Sequence, residues 1–142
     1  MSQDRVEHAA EAIHGAAIRL LRSLRQVDNA SGIPGAQLSA LSVLVYAGPK
    51  TLGALAEAEQ VKPPTMSQTV AQLEAQGLVT RRPLDRRSML IAVTEKGRKL
   101  MEAGSRRRLA LLTDALEGLP ASKLAVLEEA ALIMSAAATR KP

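Results

Sequence analysis

The sequence predicts a mainly α protein with one small β-hairpin. Apolar residues recur every three or four positions near both ends of the 142-residue chain, as one face of a helix requires. In the middle the period shortens to about two on either side of a polar, arginine-rich stretch, the pattern of two paired strands. Glycine and proline punctuate the transitions. This length suits one hydrophobic core, and 46% hydrophobic with 23% charged residues favours folding over disorder. Cys, Trp and Phe are absent and Tyr46 is the single aromatic, so the core must be built from Ala, Leu, Val, Ile and Met. Disulfides, thiol catalysis, Cys-ligated zinc and a thiol peroxide sensor are excluded.

Val6, Ala10, Ile13, Ala17, Leu20, Leu24 and Val27 form a stripe along one long amphipathic helix. The cluster from Asp28 to Gly35 ends it, and a second helix follows to about Ala47, before Gly48-Pro49. Leu52 to Glu59 is short, Ala-rich and helical in propensity. In Val61-Lys62-Pro63-Pro64 the prolines pre-set the first turn of a further helix, which runs through Gln76 with Met66, Val70 and Leu73 inward. Gly77 supplies a left-handed residue to close it, with Leu78 following as in a Schellman ending. Two strands, Leu78 to Arg82 and Met89 to Thr94, flank the connection Pro83 to Ser88. Thr94 caps a helix to about Leu116, Gly118 and Pro120 break it, and the last helix spans Ser122 to near Ala138. Apolar runs such as Ala40 to Ala47 are far too short to span a bilayer, and the charged N-terminus is unlike a signal peptide, so a soluble, cytoplasmic protein with no membrane association is expected.

The net charge is +5, and its distribution matters more than its size. From Val79 to Arg108 ten basic residues face three acidic ones, a local charge of +7, while the remainder carries −2. One face or loop should therefore meet a polyanion.

Two short helices joined by a tight turn and followed by a basic hairpin make a winged helix-turn-helix: a helix fits the major groove while the hairpin reaches beside it with arginines. Particular residues sharpen this. They are Leu55-Ala56, Val61, Pro64-Thr65-Met66-Ser67, the run Leu73 to Val79, and above all the run Asp85 to Gly97, in which an Asp-x-Arg, an apolar strand and a Thr-x-x-Gly helix start occur in order. On these the span from about Leu38 to Gly97 resembles the MarR (multiple antibiotic resistance regulator) family of dimeric transcription factors. The resemblance implies a single MarR-like domain over 1–142, with a DNA-binding lobe at 36–97 and dimerisation helices at 5–28 and 98–138.

It also implies a sequence-specific DNA-binding regulator, a homodimeric repressor of a pseudo-palindromic operator on double-stranded DNA, with either a small-molecule effector that releases it or none. Such an effector would sit between the dimerisation helices and the lobe, though no residues for it stand out. Lys62, Pro63, Pro64, Thr65, Ser67 and Gln68 would be the exposed leading face of the groove helix. Arg87 would enter the minor groove, oriented by Asp85 through a charge-assisted hydrogen bond, and Arg82 and Arg86 would contact phosphates. Many relatives carry a small hydroxyl residue in place of Lys62 and Arg in place of Pro63 and Gln68, so guanine recognition from these positions is lost and adenine or shape readout gains weight. Glu59-Gln60 stands where the turn often has Leu-Gly; a left-handed Gln60 would carry strain on the order of 1 kcal/mol.

Other chemistry finds little support. There is no Gly-rich phosphate loop after a strand and no nucleophile with a His partner, so no enzyme and no cofactor are expected. His8 and His14 lie well apart in angle along one helix and read as ordinary histidines without metal. Arg106-Arg107-Arg108 point three ways and read as a solvated face, and Tyr46 reads as buried near a dimer core or as a donor to a ligand. The alternative function is a non-regulatory architectural DNA-binding protein, for which about 30 residues of amphipathic helix at each end would be superfluous.

Overall fold

In the computed structural model residues 2–140 are described, and the chain divides after Arg108 into two compact units. The order is α1 (Gln3–Asn29), α2 (Gly35–Ala47), β1 (Lys50–Thr51), α3 (Leu52–Ala58), α4 (Pro63–Ala75), β2 (Val79–Pro83), β3 (Met89–Val93), α5 (Glu95–Leu116) and α6 (Ala121–Ala138). Mainly α with a small sheet is therefore the observed class.

The core is aliphatic. Leu41 and Leu44 of α2, Leu55 of α3, Met66, Val70 and Leu73 of α4, Leu78, Val79 of β2 and Ile91 of β3 form one buried cluster, joined by Met101 of α5. Only the C-terminal half of the α1 stripe leans on this unit: Ala17, Leu24 and Val27 are half-buried, while Val6, Ala10, Ile13 and Leu20 are exposed. In the second unit α6 is rich in apolar residues with no separate polar face, its charges being Lys123, Glu128 and Glu129, and Val126, Leu132 and Ile133 lie open.

β1 is an element that periodicity could not reveal. Two residues carry no pattern, and the strand exists because Lys50 and Thr51 pair antiparallel with Ile91 and Leu90, giving the sheet order β1-β3-β2. Thr51 then caps α3, its hydroxyl accepting from the Ala54 N–H.

Both helices of the motif end in Schellman turns. After α4, the Gly77 N–H donates to the Glu74 carbonyl and Leu78 N–H to the Leu73 carbonyl, at 2.9 and 3.0 Å, with Gly77 at φ +74°. After α3, Gln60 N–H donates to Glu57 and Val61 N–H to Ala56, and Gln60 takes φ +56°. A Cβ in that region costs on the order of 1 kcal/mol, partly offset by the extra freedom a glycine loses on folding. Gln60→Gly should therefore raise stability by up to about 0.5 kcal/mol, read as a higher urea midpoint at unchanged slope.

Candidate nucleic-acid interface

α4 is held from behind by its own glutamines. Gln37 of α2, 6% exposed, donates from its amide to Gln72 Oε1 at 2.9 Å, and its Oε1 accepts from Gln76 Nε2 at 2.8 Å. A buried amide with both donor and acceptor engaged fixes the register of α4 on α2. The opposite face of α4 is left to solvent. Lys62 occupies the N-cap without a side-chain cap, Pro63 and Pro64 fill the first helical positions, and Thr65 and Gln68 are exposed. Ser67 is half-buried, so it is less open than the leading-face expectation required, because it lies beside inward-facing Met66.

The connection between β2 and β3 is an Asx-type turn. Asp85 Oδ1 accepts from the backbone N–H groups of Arg87 and Ser88, each at 2.8 Å. The expected bond from Asp85 to the Arg87 side chain is thus replaced: the carboxylate shapes the turn backbone and leaves the guanidinium out of its contacts. Its pKa lies below the ordinary carboxylate value, first because of the Arg87 amide, then the Ser88 hydroxyl and amide. Since the folded value is lowered, its contribution to the turn is present above the ordinary titration range and fades as pH falls through the lowered value.

Arg82, Arg86 and Arg87 are exposed on this hairpin. Arg81, the intervening residue on β2, points the other way, and its Nε lies 3.5 Å from Glu74 Oε1 of α4. That atom is buried without a well-aligned hydrogen bond, so the contact is an ion pair at the edge of range.

The run from Thr94 to Gly97 fastens the hairpin to α4. Thr94 Oγ1 donates to the Gly77 carbonyl at 2.6 Å and accepts from the Gly97 N–H at 3.1 Å, capping α5. Lys96 Nζ donates to the Gln76 carbonyl at 2.8 Å, where the C-terminal dipole of α4 favours a cation.

The sequence model of the MarR family matches residues 31–88. An HTH-type transcriptional regulator of Mycobacterium bovis is 39% identical over 129 residues, covering 89% of this chain and 90% of the relative. The chain belongs to the MarR family. Among solved structures, a MarR family protein from Bacillus stearothermophilus superposes with a TM-score of 0.85 at 24% identity, over 99% of both chains. NadR, solved in complex with 4-hydroxyphenylacetate, shares the fold at a TM-score of 0.64 and 23% identity, over 92% of each chain. This MarR-family chain is accordingly a transcriptional regulator with a helix-turn-helix architecture for DNA binding.

A second feature of the first unit was invisible in the sequence. A cleft of about 660 Å³ lies between α1, α2 and α5, with Leu21, Leu24, Leu38 and Met101 on its apolar side and Arg25, Asp28 and Arg108 among its polar groups. Arg108 Nη1 and Asp28 Oδ1 are 2.7 Å apart, so Arg108 is not part of a solvated arginine face as its neighbours suggested. Eighty positions separate the two residues, and no local pattern could pair them. Tyr46, the single aromatic, is 69% exposed and outside this cleft's lining. Among the described residues no cluster of three metal-binding side chains occurs, and no helix is long and apolar enough to cross a membrane.

Proposed function

We propose that this protein is a homodimeric repressor that binds a pseudo-palindromic operator through α4 and the β2–β3 hairpin. The lobe at 36–97 makes the DNA contacts, and the helices at 5–28 and 98–138 form the dimer. The observation that carries this reading is the hairpin tip. Asp85, the one acid of the hairpin from Val79 to Val93, accepts hydrogen bonds from the backbone N–H groups of Arg87 and Ser88, so it shapes the tip and leaves the arginine side chain available to a ligand. Arg87 enters the minor groove, Arg82 and Arg86 contact phosphates, and Lys62, Pro63, Pro64, Thr65, Ser67 and Gln68 meet the major groove.

Exposed apolar side chains on α1 and, in the other unit, on α6 support the dimer, since apolar helix faces left open to solvent usually mark an interface. A twofold partner would set two α4 helices about 34–36 Å apart, the spacing of successive major grooves. For the effector, the cleft beside Arg108 and Asp28 is the site: apolar on one side and charged on the other, it suits a small amphipathic molecule. The complex of NadR with 4-hydroxyphenylacetate lends this a precedent on the same fold.

The test is a gel shift on the protein's own upstream region against random DNA, at two salt concentrations. Arg87→Ala should lose about 1–3 kcal/mol of operator affinity with fold and oligomeric state unchanged. Asp85→Ala should follow it with a smaller loss, because the tip backbone loses its anchor while the guanidinium remains. Unchanged affinity for Arg87→Ala at moderate salt would remove the hairpin from the interface.

A further inference from the structure

α2, α4 and the C-cap of α4 carry four glutamines, and the structure separates them into two groups. Gln37, Gln72 and Gln76 are bonded to one another. Gln68 is exposed, and its amide makes no hydrogen bond among the described residues. Around it the outer face of α4 carries no charge: Pro64 and Thr65 lie one turn before it, Ala71 one turn after, and Ala75 a further turn on, all exposed. Lys62 at the N-cap is the one cation of the helix and its cap, and the acid Glu74 is engaged with Arg81.

A free carboxamide offers one donor group and one acceptor side by side. Adenine presents the complement in the major groove, an N7 acceptor beside an N6 donor, whereas guanine presents two acceptors and would leave the glutamine carbonyl facing O6 or N7. An exposed alanine methyl one turn away suits the C5-methyl group of thymine and nothing on a G·C pair. We infer that α4 reads A·T pairs, with Gln68 taking adenine through both amide atoms and Ala71 packing on the methyl of a neighbouring thymine. The inference rests on α4 being the groove helix and adds the identity of the bases it selects. The glutamine network behind α4 matters here too, because it holds the register from which Gln68 projects.

The experiment enriches a random double-stranded DNA library with the full-length protein, its Gln68→Ala variant and its Gln68→Arg variant. The wild type should select adenine over guanine by about tenfold or more at one position of each half-site. Gln68→Ala should flatten that position to about twofold or less, and Gln68→Arg should turn it to guanine, since a guanidinium matches two acceptors. Replacing the neighbouring thymine by deoxyuridine should weaken the wild type about threefold to tenfold and the Ala71→Gly variant much less. A selected motif that is the same for all three proteins, or a wild-type preference for guanine at the position Gln68 controls, would overturn the inference while leaving DNA binding intact. Failure of the wild type to enrich any sequence would overturn the DNA-binding reading together with it.

Discussion

Replacing Gly97 with alanine is expected to destabilise the fold by about 3 kcal/mol, with a fall in Tm on the order of 10 °C. A Cβ built at Gly97 would overlap the Leu78 carbonyl oxygen and lie 2.8 Å from Val93 Cγ2. The first of these is backbone, and it is already committed, because Leu78 O accepts the Thr94 N–H at 3.0 Å. To make room, the first turn of α5 would have to lift away from the end of α4, breaking the Thr94 bonds to Gly77 and Gly97. Overpacking against backbone has no rotamer escape, which puts the cost at the upper end of the usual range. Gly53→Ala is the control. Nothing lies within 4 Å of a Cβ there, so alanine's better helix propensity should leave stability unchanged or raise it by up to about 1 kcal/mol. Thermal and urea unfolding of both variants decide the matter; equal stability would mean that the approach of α5 to Leu78 is looser than the structure places it.

Carboxylates at Val6 and Ile13 together should convert the proposed dimer into a folded monomer. Both side chains stand on the exposed N-terminal half of α1, at 59% and 44% accessibility, and no residue of α1 is buried within the chain. The double variant Val6→Glu with Ile13→Glu therefore costs the single chain little. In a twofold interface each substitution occurs twice, and burying unpaired carboxylates costs several kcal/mol in sum, enough to raise the dimer Kd about a thousandfold or more. Sedimentation should show a monomer at micromolar concentration with unchanged helical circular dichroism. Operator affinity should fall at least a hundredfold, because two half-sites would no longer be held by one particle. A wild type that is itself monomeric at that concentration would remove the dimer proposal altogether.

Much of this protein was decided by its sequence because the deciding interactions are local. The 3.6-residue period places α1, α5 and α6; prolines at 63 and 64 start α4, and Gly77 ends it with both bonds of a Schellman turn. The Asp85-x-Arg87 and Thr94-x-x-Gly97 signatures are legible for the same reason, since each spans a single turn. Tertiary structure decided what depends on residues far apart in the chain. The strand β1 exists through its pairing with β3; Arg108 is drawn from its basic run by Asp28; and the free state of Gln68 is defined by where the other three glutamines bond. Asp85 itself shows the boundary. Its place at the tip could be read from the sequence, but its choice of two backbone N–H groups over a neighbouring guanidinium follows from the turn's geometry, which brings both amides to one carboxylate oxygen at 2.8 Å.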